Sequence, residues 1–142
     1  MARILESILM PFETLKVYEI VNDVGSYSEF LPWCVDSKVL EEDDKNMRAS
    51  ITIRKGGFSY SLTTNNRLVS GRSISLEFSE GPFKYLRGEW SFLVAEGGCL
   101  IKLELDFEAE NKLLDIALNA ASKPVTTTLM RSFRNRAYEL LG

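Results

Sequence analysis

The sequence predicts one α+β domain over residues 1–142, in which a curved antiparallel sheet of about seven strands wraps around a long C-terminal helix. Three observations lead to this prediction. The length is that of one ordinary domain, and 45% hydrophobic with 26% charged residues is the mixture of a globular protein. Hydrophobicity alternates with period two through the middle of the chain, which is typical of strands. After residue 111 the period becomes 3.6, which is that of a helix.

The N-terminal part of the chain predicts a strand and two short helices. Residues 3–10 are apolar and short and are followed by a proline, as suits a strand. A helix follows and ends at Gly25. Its apolar face comprises Val17, Tyr18, Val21 and Val24. Ser26 caps a second short helix, with Glu29 completing a capping box, and Pro32 ends this helix.

The middle of the chain predicts antiparallel strands with one buried side. Apolar and polar residues alternate in five runs, at 48–54, 58–63, 73–79, 86–94 and 101–107. Turn signals separate the strands, at Asp43–Asn46, Gly56-Gly57, Ser70-Gly71, Gly81-Pro82 and Gly97-Gly98. Counting the first strand, we expect about seven strands, joined mainly as a meander.

The C-terminal part predicts a helix of about 30 residues, or ~45 Å, which begins after the N-cap Asn111. Its apolar stripe is Leu114, Leu118, Ala121, Val125, Leu129, Phe133, Ala137 and Leu140. We expect the sheet to pack against Leu114, Leu118, Val125, Leu129 and Phe133. Pro124 lacks an N–H and clashes with the carbonyl of Ala120, so a kink or a two-part helix is expected. Because the helix carries several alanines and the sheet is curved, a tunnel is expected between them.

Composition excludes several classes of enzyme. The chain has no histidine, which removes Ser-His-Asp and Cys-His nucleophile systems and His-ligated metal sites. Cys34 and Cys99 form no CxxC pair and are expected to be free, half-buried thiols. The acidic run Glu41–Asp44 fits a solvated turn better than a metal site. We therefore expect no catalytic residue, no metal, no required cofactor and no enzymatic activity.

Two further segments have alternative interpretations. The aromatic residues of Tyr27–Cys34 fit a plug at one end of the core, and a position at the mouth of a cavity is the alternative. The last helix is locally basic, at Lys123, Arg131, Arg134 and Arg136. These cations either contact phosphates or complement the helix dipole. The net charge of −3 gives no general basic field, so DNA is not expected as a partner.

Several motifs together resemble the coenzyme Q-binding START-like family of the polyketide cyclase/START superfamily. They lie at residues 21–24, 26–27, 30–34, 37, 81–83, 86, 88, 90, 92, 106–108 and 111–114. The family also includes a bacterial ribosome association toxin. The resemblance implies the helix-grip fold of START-like and Bet v-like proteins and a hydrophobic tunnel that binds polyprenyl quinone. It also implies that Leu31 and Trp33 contact the quinone.

The first functional hypothesis is a non-enzymatic carrier or chaperone that binds ubiquinone (coenzyme Q) or a related polyisoprenoid lipid and supports respiration. The expected ligand-binding residues are Phe30, Leu31, Pro32, Trp33, Phe83, Leu86, Trp90, Leu114, Leu118 and Leu129. The second hypothesis is a toxin-like module that binds the large ribosomal subunit and blocks subunit association. A polyketide-cyclase-like enzyme ranks third, because no acid and base are suitably paired.

The expected location follows from the N-terminus and the ligand. A glutamate at position 6 interrupts the apolar region too early for a secretory signal. No stretch approaches the ~18 apolar residues of a membrane span. We expect a cytoplasmic bacterial protein that contacts the inner membrane transiently, or a mitochondrial one if the source is eukaryotic.

Overall fold

The computed structural model describes residues 2–55 and 57–142 and confirms the α+β fold. The seven strands are β1 (Ala2–Met10), β2 (Cys34–Glu42), β3 (Asn46–Lys55), β4 (Phe58–Val69), β5 (Ser73–Glu80), β6 (Phe83–Ala95) and β7 (Gly98–Ala109). The helices are α1 (Thr14–Asn22), α2 (Tyr27–Phe30) and α3 (Lys112–Leu141), with a 3₁₀ turn at Val24–Ser26.

The sheet is antiparallel throughout, in the order β1-β7-β6-β5-β4-β3-β2. From β2 to β7 each strand pairs with the next, which confirms the predicted meander. β1 instead pairs with β7, with Ile4 opposite Leu105. The two short helices therefore lie in the connection between the two edges of the sheet.

The alternation of apolar and polar residues did not locate strand β2. Its register shifts twice against β3, between Cys34 and Asp36 and between Val39 and Glu41. Each bulge moves the following residues to the opposite face of the sheet, so the period of two is lost. Of the predicted Gly56-Gly57 turn, Gly56 lies outside the described residues.

The two short helices differ in detail from the prediction. Helix α1 ends at Asn22 rather than at Gly25, and the chain continues into the 3₁₀ turn. The prediction of a capping box at the start of α2 is wrong. The Ser26 hydroxyl donates instead to Asp23 Oδ2 at 2.6 Å, and Glu29 Oε1 lies 3.4 Å from the guanidinium Nη2 of Arg136. The apolar face predicted for the first helix is confirmed, because Val17, Tyr18, Val21 and Val24 are all buried.

Helix α3 runs without interruption through Pro124, so the two-part alternative is wrong, and the kink at the proline stays a prediction. The predicted cap is confirmed, because Asn111 Oδ1 accepts from the backbone N–H of Leu114 at 2.8 Å. Pro124 itself is exposed. Residues on the C-terminal side of the proline are buried in the core, and this packing holds the helix together where one backbone hydrogen bond is missing.

The core consists of a large cluster around Phe133 and a smaller one around Phe83. The buried residues of α3 are Thr126, Met130, Phe133 and Ala137. The stripe predicted for α3 is therefore only partly correct. Leu114, Leu118, Val125 and Leu129 are partly buried, and Leu140 is exposed. Three of them, Leu118, Val125 and Leu129, are only partly buried because they face a cavity.

Candidate ligand-binding cavity

A cavity of about 220 Å³ lies between the sheet and helix α3. It is larger than an engineered cavity of roughly 150 Å³ that binds benzene, and smaller than drug-sized pockets of roughly 300–1,000 Å³. Most of its lining residues are aliphatic or aromatic, and they come from both core clusters. The cavity has the size and polarity for a ring that carries a short apolar chain.

The periodicity of each element sets what it contributes to the cavity. Strand β4 turns every second side chain inward, which places Tyr60, Leu62, Thr64 and Asn66 on the cavity. Helix α3 contributes residues of one face, which recur at spacings of three and four, namely Leu118, Ala121, Ser122, Val125, Thr126 and Leu129. A small residue at position 121 leaves open space that a larger side chain would fill.

One end of the cavity is formed by the segment 21–33, which is held against α3 by aromatic contacts. The rings of Tyr27, Phe30 and Trp90 pack edge-on against Phe133, with centroids 5.3–5.4 Å away. The Tyr27 hydroxyl donates to the carbonyl of Val21. Burial, more than the nearby Asp23 carboxylate, raises the pKa of Tyr27 far above its usual value, so this hydroxyl stays protonated.

Two buried polar atoms of this end have no hydrogen-bond partner among the described residues. They are the indole Nε1 of Trp33 and the amide Oδ1 of Asn22. Both residues line the cavity, and Trp33 is only 7% exposed. Farther along the sheet, the Thr64 hydroxyl donates to Asn66 Oδ1 at 2.7 Å. The cavity is therefore mostly apolar, and two residues that border it each carry a buried polar atom without a described partner.

Seven of the predicted site residues lie together on the cavity, namely Leu31, Trp33, Phe83, Leu86, Trp90, Leu118 and Leu129. The other three do not line it. Phe30 packs between Phe133 and the guanidinium of Arg136, whose Cζ lies 5.1 Å from the ring centroid. Pro32 is exposed, and Leu114 lies nearer the start of α3 than any lining residue of that helix.

Trp33 unites the two interpretations given for its segment. It belongs to the main core cluster, as a plug does, and it also borders the cavity. That Trp33 contacts a ligand remains a prediction. Sequence reasoning missed the polar lining residues, although two of them share the inward parity of β4 with Leu62. They are Asn22, Thr64, Asn66, Ser122 and Thr126. A polar residue at an inward strand position was the signal that could have found Thr64 and Asn66.

The outer face of α3 carries unpaired positive charge. Lys123, Arg131 and Arg134 are exposed, and none forms an ion pair with a described residue. Arg136 differs, because it is largely buried and contacts Glu29 and Glu139. Three cations on one exposed helix face form a local basic patch on a protein of net charge −3.

The two cysteines are free and buried. Burial raises the pKa of both thiols, which makes them poor nucleophiles. Over the residues that the structure describes, no group of three or more Cys, Asp or Glu residues is placed to hold a metal ion. Within the same residues, no helix is long and apolar enough to cross a membrane.

Fold and cavity together define a helix-grip domain, a sheet that holds a long helix with an apolar cavity between them. The family described as polyketide cyclase / dehydrase and lipid transport matches residues 10–134. The chain belongs to this family, and the START-like resemblance of its motifs is confirmed.

Curated relatives differ in their named functions. The ribosome association toxin RatA of Vibrio cholerae is 37% identical over 143 residues, covering 100% of this chain and 99% of the toxin. The mitochondrial coenzyme Q-binding protein coq10 of Schizosaccharomyces pombe is 27% identical over 138 residues, covering 91% of this chain and 82% of that protein. The chain is thus similar to a toxin and to a quinone-binding protein.

Among solved structures, the Zhui aromatase/cyclase of Streptomyces sp. R1128 superposes with a TM-score of 0.85 at 14% identity. The superposition covers 99% of this chain and 96% of the cyclase. At this identity the likeness shows the fold alone. The names of the relatives indicate binding functions, whereas a neighbour in fold is an enzyme.

Proposed function

We propose that the protein is a non-enzymatic carrier that binds ubiquinone or a related polyisoprenoid lipid in its cavity. The observation that carries this proposal is the partly open cavity between the sheet and α3, whose lining is mostly aliphatic and aromatic with a few polar side chains. A quinone has the matching form, because a ring with polar oxygens ends an apolar chain. The carrier acts in the cytoplasm. Because the ligand resides in membranes, the carrier contacts the membrane transiently and takes the ligand up there.

The size of the cavity determines how much of the ligand it buries. A ring with one isoprene unit has about ten apolar carbons, and at ~0.8 kcal/mol per carbon their burial contributes roughly 8 kcal/mol before the costs of association. A micromolar complex needs about 8 kcal/mol net. The remainder must come from hydrogen bonds and from further tail contacts. We therefore expect the ring and the first tail unit in the cavity, with a longer tail leaving through its opening.

The contacts proposed for the ligand are the seven cavity-lining residues predicted from the sequence, Leu31, Trp33, Phe83, Leu86, Trp90, Leu118 and Leu129. The non-enzymatic assignment is supported by the lack of histidine and by the named functions of the curated relatives. A cyclase activity has only the likeness in fold behind it.

The proposal is tested by the lipid that the protein holds. The purified protein is extracted with organic solvent and the extract is analysed by mass spectrometry, with a quinone or polyisoprenoid as the expected product. The lipid-free protein is then titrated with a short-chain ubiquinone. The protein's two tryptophans both line the cavity, so the quinone should quench the tryptophan fluorescence saturably. Empty extracts together with no saturable quenching would rule the proposal out.

A second function, association with the large ribosomal subunit, is supported by the named relative at 37% identity and by the basic patch on α3. The patch consists of Lys123, Arg131 and Arg134, and contacts with phosphates through such residues weaken as salt rises. We propose that this face of α3 contacts ribosomal RNA.

Co-sedimentation of the protein with ribosomal subunits tests the second function. Arg131→Glu with Arg134→Glu should abolish co-sedimentation at low salt. Arg54→Glu, an exposed charge reversal on strand β3, is the matched control and should leave it intact. Equal co-sedimentation of both variants would mean that α3 is not the contact.

A further inference from the structure

The lining of the cavity carries no charge. Among the described residues that border it, none is Asp, Glu, Lys or Arg, and the polar ones are Tyr, Trp, Ser, Thr and Asn. A charged group that enters such a site loses its hydration and finds no counter-ion, which is costly. The lining therefore favours a ligand whose buried part is uncharged.

Most hydroxyl groups of the lining already donate their hydrogen to an acceptor within the protein. Those of Tyr27 and Thr64 donate to oxygen atoms of nearby residues. Those of Ser122 and Thr126 donate to backbone carbonyls one turn earlier in α3, at 2.9 and 2.8 Å. The Tyr60 hydroxyl differs, because it has no hydrogen-bond partner among the described residues, and burial is what shifts its pKa. Its hydrogen is therefore free to bind a ligand.

The Tyr60 hydroxyl is accessible to a molecule in the cavity. Tyr60 is partly exposed, and unlike Trp33 Nε1 and Asn22 Oδ1 its oxygen is not among the buried polar atoms that lack a partner. Its surroundings are apolar, because its ring packs edge-on against Phe83 at a centroid distance of 6.3 Å and Ile53 lies opposite it on β3. Burial raises the pKa of Tyr60 above its ordinary value, so the hydroxyl remains a donor at neutral pH.

We propose that the cavity takes isoprenoid ligands with an uncharged head group whose oxygen accepts a hydrogen bond from Tyr60, and that it thereby discriminates a quinone from prenyl phosphates and from isoprenoid hydrocarbons. This inference rests on the proposed function, which does not specify the head group of the lipid. A quinone carbonyl is neutral and accepts a hydrogen bond. A prenyl phosphate is an anion for which the lining offers no cation, and a hydrocarbon leaves the hydroxyl unpaired.

Competition for the lipid-free protein tests the class of ligand. Ubiquinone with a geranyl tail is bound first, and its displacement by geranyl phosphate or by the isoprenoid hydrocarbon myrcene is followed as the recovery of tryptophan fluorescence. Because burying an uncompensated charge is costly, geranyl phosphate should bind at least about a hundredfold more weakly than the quinone. Geranyl phosphate that binds as tightly as the quinone would overturn the exclusion of charged head groups.

Tyr60→Phe removes the hydroxyl and keeps the ring. The variant should bind the quinone about three- to tenfold more weakly, as expected for one hydrogen bond, and should bind myrcene as the parent protein does. Because a hydrogen bond weakens the carbonyl bond, the infrared carbonyl stretch of the bound quinone should lie at lower frequency in the parent protein than in the variant. Tyr85→Phe, which removes a hydroxyl outside the cavity lining, is the matched control and should change neither affinity.

The outcomes separate the inference from the proposed function. Tyr60→Phe breaks no hydrogen bond among the described residues, so the ligand-free variant should unfold at the same urea concentration as the parent protein or a higher one. If the quinone does not bind the parent protein, the proposed function itself fails. If the quinone binds and Tyr60→Phe leaves its affinity and its carbonyl stretch unchanged, the carrier function stands and the role of Tyr60 is overturned. An equal loss of quinone and myrcene binding also overturns that role, because it reports altered packing.

Discussion

At the scale of single residues, Phe133 is the side chain that joins α3 to the aromatic rings of segment 21–33 and of β6. It is 1% exposed and contacts the rings of Tyr27, Phe30 and Trp90. Truncating a buried phenylalanine leaves a void and typically costs 3–5 kcal/mol. We expect Phe133→Ala to lower the free energy of unfolding by about 3–5 kcal/mol, measured by urea denaturation.

The same helix offers a control for Phe133. Leu140 is 55% exposed, so Leu140→Ala should change the free energy of unfolding by no more than about 0.5 kcal/mol. A comparable loss in both variants would mean that helix propensity, rather than the aromatic cluster, accounts for the effect.

Residue by residue, the sequence predicts the apolar part of the site better than the polar part. Periodicity and the family motif place Leu31, Trp33 and Leu118, which all line the cavity. Phe30 lies beside them in the chain, yet α2 turns its ring towards α3. Asn22 is not predictable from one sequence, because a polar residue at the end of a helix is usually solvated.

At the scale of elements, Pro124 tests how far packing overrides local propensity in α3. The proline leaves the Ala120 carbonyl without its usual helical donor and lies on the exposed side of an unbroken helix. Pro124→Ala restores the N–H and removes the steric clash, for which helix propensities allow up to about 3 kcal/mol. We expect the variant to unfold at a higher temperature, as followed by circular dichroism. A lower melting temperature would mean that the proline favours the folded state through the unfolded chain.

The turn between β2 and β3 predicts a pH dependence. Asp43 Oδ1 accepts from the backbone N–H groups of Lys45 and Asn46, both at 2.8 Å, and these bonds lower the pKa of Asp43. A folded-state pKa below the unfolded one contributes stability above the unfolded value of about 4, and this contribution is lost as the pH falls through the folded value. Asp43→Ala should therefore destabilise the protein at neutral pH, with a difference that shrinks below about pH 4.

Urea denaturation across pH measures this difference between parent and variant. Asp44→Ala, one position along in the same turn, removes the same charge and is the matched control. If the Asp43→Ala difference stays constant down to pH 2, the carboxylate makes no ionisation-dependent contribution.

Strands and helices are predictable from the sequence where the period of their hydrophobic residues is undisturbed. The alternating runs of β3 to β7 and the cap of α3 are confirmed. The two bulges of β2 break the alternation by which a strand is recognised. The partial burial of Leu118 and Val125 depends on the curvature of the sheet opposite them, which no local pattern encodes.

At the scale of the whole molecule, α3 presents different chemistry to its two sides. Leu118, Ala121 and Val125 face the cavity, whereas Lys123, Arg131 and Arg134 face solvent. A 3.6-residue period allows both sets to coexist on one helix without sharing a residue. The two proposed functions therefore use different faces of the same element and should be separable by mutation.

Matched substitutions at adjacent positions test that separation. Ala121→Leu adds three carbons inside the cavity of about 220 Å³, where they occupy the space proposed for the ligand. Filling a void adds apolar contacts, so the ligand-free protein should be as stable as the parent or more stable, while its affinity for short-chain ubiquinone falls tenfold or more. Ala120→Leu places the same side chain on the exposed face and should leave quinone binding unchanged.

Neither variant alters the basic patch, so both should co-sediment with ribosomal subunits as the parent protein does. Loss of both activities in Ala121→Leu, with the protein still folded, would instead mean that an occupied or open cavity is required for ribosome association.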